Sequence, residues 1–158
     1  MTSLSDVKDF LALRRIAMVG VSRNPHEFSR SLFRELCAKG YDVVPVNPLT
    51  EEIEGRKSFA RVQEIAPPVD GALIITPPPL TEQVVRDCAE AGIRRVWMHS
   101  GGGQGSVDAK AVALCKANGM RLVEGQCPFM FLPKAAFFHR AHGIVLKLTG
   151  KYPSARAA

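Results

Sequence analysis

The sequence predicts a doubly wound α/β fold, with a mainly parallel five-stranded sheet, helices on both faces and a C-terminal amphipathic helix. Three observations lead there. Short β-branched runs alternate with helical patterns along the chain. The strand runs are apolar almost throughout rather than every second residue, as in a sheet covered on both faces. Gly, Pro and small polar residues follow each run, which is the chemistry of turns at strand ends. The 158 residues suffice for one domain with a proper core and are too few for two ordinary ones.

The elements follow in order. Ile16 to Val19 reads as the first strand, and Gly20 turns the chain. Phe28 to Lys39 carries Phe28, Leu32, Phe33, Leu36 and Cys37 at helical spacing, and Gly40 stops it. Asp42 to Val46 is the second strand, ended by Asn47-Pro48. A short helix is expected over Ser58 to Ile65, before Pro67-Pro68. Gly71 to Ile75 is the third strand, broken by Thr76-Pro77 and the two prolines that follow. Leu80 to Ala91 is helical, Arg95 to Met98 extended, Val107 to Asn118 helical and Arg121 to Glu124 extended, with glycines 92 and 119 as C-terminal stops. Residues 1–133 make the sheet domain. Residues 134–158 add a basic amphipathic helix and tail to the same domain: Phe137, Ala141, Ile144, Val145 and Leu148 share one face, opposite Lys134, Arg140, Lys147 and Lys151.

Composition narrows the class. Hydrophobic residues are 46% and charged residues 23%, as in soluble globular chains. No apolar run approaches the ~20 residues that span a bilayer. Met1 to Arg15 carries Asp6, Lys8 and Asp9 and lacks the features of a signal peptide, so a cytoplasmic location is expected. The four cysteines, Cys37, Cys88, Cys115 and Cys127, form no CxxC pair, which argues against a metal site, and a disulfide framework is not expected in a cytosolic chain. Net charge is +6, yet no acidic residue follows Glu124, so the basicity belongs to the tail; nucleic acid is not expected as a partner.

In a doubly wound sheet, ligands sit beyond the carboxyl ends of the strands, where strand order reverses. The first such loop, Gly20-Val21-Ser22-Arg23-Asn24, combines a flexible glycine with a hydroxyl and a cation. The helix after it offers its N-terminus, with Ser29 and Arg30 in the first turn, and such an end suits phosphate. A plain strand-helix turn has the same appearance, so the loop alone leaves both readings open. The nicotinamide fingerprint is absent: Ser22 and Pro25 replace its second and third glycines, and the second strand ends in Asn47 rather than an acid. Catalytic groups are sparse. His99 follows the fourth strand without an evident carboxylate to orient it. Cys127 is the one cysteine in a strand-end loop, His26 lies in the first loop, and His139 and His142 form a lone i, i+3 pair.

Residues Ile16 to Pro25, Val44 to Pro48, Val69-Asp70, Val96-Trp97 and Gln126-Cys127-Pro128 together resemble the small coenzyme A-binding domain proteins, over roughly residues 10–133. The N-terminal domain of the succinyl-coenzyme A synthetase alpha subunit is similar in its Rossmann-like architecture, and its Asn-Cys-Pro turn resembles Gln126-Cys127-Pro128. The resemblance implies coenzyme A or an acyl-coenzyme A as bound ligand. It implies that Gly20, Val21, Ser22, Arg23, Asn24 and Pro25 form the first coenzyme loop, with Ser29 and Arg30 beside it. Ser100 and Gly101 fall near another contacting loop, Asn47-Pro48 and Thr76-Pro77 wall the crevice, and Cys127 closes the pattern. The synthetase has a lysine-bearing Gly-rich stretch where this chain has Leu49-Thr50-Glu51-Glu52, which leaves Arg23, Arg56 or Lys57 for the 3′-phosphate. Its phosphorylated histidine belongs to a second domain, so the resemblance carries over a ligand and not a reaction.

The expected function is therefore binding of a small-molecule nucleotide ligand, as a carrier, sensor or complex subunit without catalysis of its own. The alternatives are a nucleotide-dependent oxidoreductase or acyl transferase using His99 or Cys127, and an interaction module docking through the C-terminal helix. That helix would cover its apolar face on its own domain, on a second copy in a homodimer or, less favoured, on a membrane. Deleting residues 134–158 is expected to lower the melting temperature or shift the oligomeric state while coenzyme A binding persists. Sedimentation and thermal melting of the truncated chain check this, and loss of vesicle binding alone would contradict it.

Overall fold

The computed structural model describes residues 2–101 and 105–132. The helix expected beyond Pro133 lies outside them, as do His139 and His142. Four helices, α1 (Leu4–Leu11), α2 (Phe28–Ala38), α3 (Pro78–Glu90) and α4 (Ala109–Ala117), surround the strands β1 (Arg15–Val19), β2 (Asp42–Val46), β5 (Gly71–Ile74), β6 (Arg95–His99) and β7 (Arg121–Gln126). These five form one sheet in the order β2-β1-β5-β6-β7, every pair parallel. The small hairpin β3 (Glu52–Ile53) and β4 (Arg56–Lys57) stands apart.

The order reverses at β1. From there the chain steps to β2 through α2, and from β5 it steps the other way through α3 to β6 and through α4 to β7. Right-handed crossovers running in opposite directions place their helices on opposite faces. Two core clusters record this. Ala17, Val19, Ala72, Ile74, Val96 and Met98 pack with Val85, Cys88, Ala111 and Cys115 of α3 and α4. The alternate residues Ile16, Met18, Leu73, Trp97 and Val123 pack with Leu32, Phe33 and Leu36 of α2 and with Val7 and Phe10 of α1. Period-two alternation with both sets apolar is what a twice-covered sheet needs.

Helix α1 was not foreseen from the sequence. Ser3 and Asp6 form a capping box at its start. Its buried face sets Phe10 edge-on to Trp97, ring centroids 5.4 Å apart. Asp9 also pairs with Arg95 at 2.7 Å and with Arg121 at 3.1 Å. Exposed pairs of this kind contribute about 0–1 kcal/mol each, against about 1.5–3 kcal/mol for burying a Phe, so Phe10 and Val7 hold the helix and the charges orient it.

The short helix expected over 58–65 is corrected. Phe59 instead bridges the free edge of β2 beside Val46. Its N–H donates to the Pro45 carbonyl (3.1 Å), and its carbonyl accepts from the Asn47 N–H (2.9 Å). Only a 3₁₀ turn, Val62–Glu64, remains helical. The unpaired edge groups of β2 outweigh a weak helical pattern.

Gly20 makes a second constraint. Its φ is +96°, and a Cβ placed there would lie 2.9 Å from the Thr76 backbone nitrogen. Gly119 has φ +61° with nothing within 4 Å. Gly20→Ala should therefore cost about 2–4 kcal/mol, the left-handed backbone strain plus the clash, whereas Gly119→Ala should cost about 1 kcal/mol. Urea unfolding of the two variants measures the difference; equal losses would mean that the contact at Thr76 is slack.

Candidate functional site

The carboxyl ends of β1, β2 and β5 meet where the strand order reverses. A cavity of about 360 Å³ opens there. Gly20, Asn47, Pro48, Thr76 and Pro77, all expected at the crevice, line it together with Val19 and Val46. Its remaining wall comes from Leu49, from residues 60–62 and from Leu80, Gln83, Val84 and Asp87 of α3. The α3 residues follow an i, i+3, i+4, i+7 spacing that was legible as one helix face. Reading only the loops after the strands passed over it.

The lining is mostly apolar, with one polar edge. The Arg61 guanidinium donates to the Asp87 carboxylate through Nη2 (2.5 Å) and Nε (3.2 Å), and Gln83 Nε2 donates to the same group (2.9 Å). Burial alone would raise the Asp87 pKa, but hydrogen bonds from Arg61, Gln83 and Gln63 outweigh it and hold the carboxyl below its ordinary value. Asn47 uses its whole side chain on the backbone: Nδ2 donates to the Val21 carbonyl, and Oδ1 accepts from the Leu49 N–H, both at 2.8 Å.

The first loop is partly self-satisfied. The Ser22 N–H donates to Ser29 Oγ (2.9 Å), the Asn24 N–H to Ser22 Oγ (3.1 Å) and the His26 N–H to Asn24 Oδ1 (3.1 Å). Arg30, expected as a phosphate cation, holds the loop's frame. Its Nη1 donates to the Ser22 and Arg23 carbonyls (3.2 and 3.1 Å), and its Nε donates to Glu54 (3.0 Å). Arg34 reaches Glu54 as well (2.9 Å) and donates to the Pro25 carbonyl (3.1 Å). These two guanidiniums hold the Glu54 carboxyl below its usual range, Arg34 contributing most. What the loop leaves open is the end of α2: Glu27, at its N-cap, makes no side-chain hydrogen bond to it.

Arg56 is a correction among the expected cations. It pairs with Asp42 at 3.0 Å. Asp42 begins β2, so Arg56 lies toward the amino ends of the strands, away from the crevice. Lys57 sits over the Phe59 ring, 4.9 Å from its centroid, and Arg23 is exposed in the loop.

At the other end of the row, Ser100 donates its N–H to the Gln126 carbonyl (3.2 Å), and Gly101 lies close to Cε1 and Nε2 of His99. His99, read from sequence as a loop residue, is instead the last residue of β6 and is buried. Burial pushes its imidazole pKa down to about 4. Its Nε2, Ser106 Oγ and Gln126 Oε1 are buried without a partner among the described residues. Such orphaned groups cost about 1–3 kcal/mol each. Cys127 is buried just after β7, and burial raises its thiol pKa although the Phe129 and Met130 backbone works the other way. Cys88 and Cys115 are buried in the core, while Cys37 is half-buried. Among the described residues no group of three His, Cys, Asp or Glu could hold a metal ion, and no helix is long and apolar enough to cross a membrane.

Comparison with known proteins agrees with this architecture. The alpha subunit of ADP-forming acetate–CoA ligase II of Pyrococcus furiosus is 31% identical over 125 residues, covering 75% of this chain. The chain spans only 27% of that subunit's length. The uncharacterized protein YneT of Bacillus subtilis is 27% identical over 126 residues, covering 79% of this chain and 90% of its own. Among solved structures, a hypothetical protein from Pyrococcus horikoshii superimposes with a TM-score of 0.72 at 28% identity, over 78% of this chain and 85% of that one. Residues 14–133 match the family described as CoA binding domain, and the chain belongs to that family.

Proposed function

We propose that the chain binds coenzyme A or an acyl-coenzyme A at the reversal of strand order. The observation that carries this reading is the apolar cavity at Gly20, continued by a loop whose Ser22 N–H is held by Ser29 Oγ in the first turn of α2. The cavity falls within the usual ~300–1,000 Å³ range of small-molecule pockets. Its apolar walls suit a purine, with Gln83 and Asp87 at the polar edge. The diphosphate lies at Gly20–Asn24 and against the first turn of α2, where backbone N–H groups and the helix dipole favour an anion. Ser22, Arg23, Asn24, Pro25 and Ser29 shape that end. Arg30 holds it rigid, and Arg61 replaces Arg56 as the guanidinium beside the cavity.

The role is that of a carrier, sensor or complex subunit rather than a self-sufficient catalyst. A buried Cys127 with a raised pKa is a poor nucleophile. His99, held neutral by burial, is bonded to no carboxylate among the described residues. The complex-subunit role has an observation of its own: one relative is a ligase subunit of which this chain spans about a quarter.

Calorimetric titration tests the ligand. Coenzyme A should bind the wild type, and Ser22→Glu should weaken it about 100-fold or more, since a like charge at the diphosphate costs several kcal/mol. The variant's melting temperature should stay near that of the wild type. Unchanged affinity in Ser22→Glu would remove the diphosphate from this loop.

NAD should bind at least about tenfold more weakly than coenzyme A. The Asn47 side chain is already committed to backbone groups and carries no charge for ribose hydroxyls. A competition titration in which NAD matched or exceeded coenzyme A would overturn the ligand assignment.

A further inference from the structure

The β3–β4 hairpin turns at Glu54-Gly55, between the register partners Ile53 and Arg56. Both turn residues have positive φ, +52° and +73°. Two-residue hairpin turns of this kind favour Asn, Asp or Gly first and Gly second. Among the described residues, Glu54 is the one non-glycine in the left-handed region. Its long side chain does nothing to ease that backbone, whereas the short amide of Asn tolerates it. Residues held in such conformations gather where their side chains have a task.

The task of Glu54 lies across the gap to α2. Arg30 and Arg34 stand four apart on one face of that helix and converge on one carboxylate oxygen. Oε1 accepts from Arg30 Nε (3.0 Å) and Nη2 (2.5 Å) and from Arg34 Nε (2.9 Å). The hairpin is seated for this by Ile53, which is 2% exposed and packs with the α2 side of the core. The Ser58 N–H closes the hairpin's base on the Glu51 carbonyl at 2.8 Å. The free arms of the same guanidiniums reach the first loop, Arg30 at the Ser22 and Arg23 carbonyls and Arg34 at the Pro25 carbonyl. Three loop carbonyls are thus held by cations that one carboxylate aims. The Arg30 side chain is only 11% exposed, so without that carboxylate its charge loses its counterion where little water can replace it.

We propose that Glu54 is a positioning residue for the ligand's diphosphate: it aims Arg30 and Arg34 at the first loop and so fixes the conformation of residues 20–25 that the ligand meets. The proposal rests on the coenzyme A reading above. On this account the left-handed Glu54 is kept for binding and not for folding, so one substitution can improve the turn and impair the site.

The test titrates coenzyme A calorimetrically into the full chain and its variants. Glu54→Asn suits the turn and is too short to reach the arginines. Its melting temperature should stay within about 3 °C of the wild type, because relief in the turn offsets the lost ion pairs. Its affinity should fall about tenfold, the loop now being ordered at the ligand's expense. Glu54→Gln keeps the reach and one acceptor oxygen without the charge, and should lose about threefold. Arg30→Gln should weaken binding by itself, and adding Glu54→Asn to it should cost no more than about a further twofold, since the two act in one chain. Unchanged or tighter binding in Glu54→Asn would overturn the proposal, because the freed arginines would then serve the ligand at least as well as the loop. Losses that multiply in full in the double variant, or an affinity that falls only together with the melting temperature, would overturn it too. If Arg30→Gln does not fold, the affinity order wild type, Glu54→Gln, Glu54→Asn at constant melting temperature decides alone. A wild type that does not bind coenzyme A would overturn the coenzyme A reading itself, and this role of Glu54 with it.

Discussion

The contact of Gly20 with the peptide joining Ile75 to Thr76 is the constraint on which the crevice depends. The Ile75 N–H donates to the Val19 carbonyl at 2.8 Å, which ties the last residue of β1 to the residue that follows β5. One residue further on, the two chains must pass with no room for a side chain at Gly20. They then part toward opposite faces, one into α2 and the other into α3. The opening between them follows from that divergence, since two strands whose continuations cross the sheet in opposite directions leave a gap at their ends.

The row of strand ends combines two kinds of preparation. The loop after β1 is held by its own hydrogen bonds and by Arg30 and Arg34, both anchored on Glu54 of the β3–β4 hairpin. Order achieved before a ligand arrives reduces what binding must immobilise. The ends of β6 and β7 differ, because there the backbone is secured and the side-chain atoms are not. Unpaired groups in a fixed frame favour one partner geometry, whereas a self-satisfied loop offers mainly shape and backbone dipoles.

Much of this was legible in the sequence, and the reasons differ by residue. Ile16 to Val19 and Gly71 to Ile75 announced themselves because buried parallel strands are uniformly apolar. Gly20, Asn47 and Thr76 followed from strand ends alone. The cavity wall on α3 was missed because Gln83 and Asp87 look like ordinary polar residues of a surface helix until Arg61, far off in sequence, is brought against them. Helix α1 was missed because eight residues are a short run for a periodic pattern, although Leu4, Val7, Phe10 and Leu11 stand at helical spacing, and because its partner, Trp97, is remote along the chain. The excursion at Phe59 was misread because an edge strand's need for backbone partners leaves no periodic trace. The structural part played by Arg30 was not legible, because a cation near a phosphate loop reads the same in sequence whether or not it also holds the loop's own carbonyls.

Trp97 is the chain's only tryptophan. It is fully buried between Phe10 and Phe131 and donates its indole N–H to the carbonyl of Gln126. An indole in so apolar a setting emits at the blue end of its range, free of overlapping signals from other tryptophans. Its one polar tie is to the backbone of a residue at the far end of the strand row. The protein therefore carries an intrinsic optical reporter at that end of the sheet, whose emission follows movement of Gln126 without any attached label.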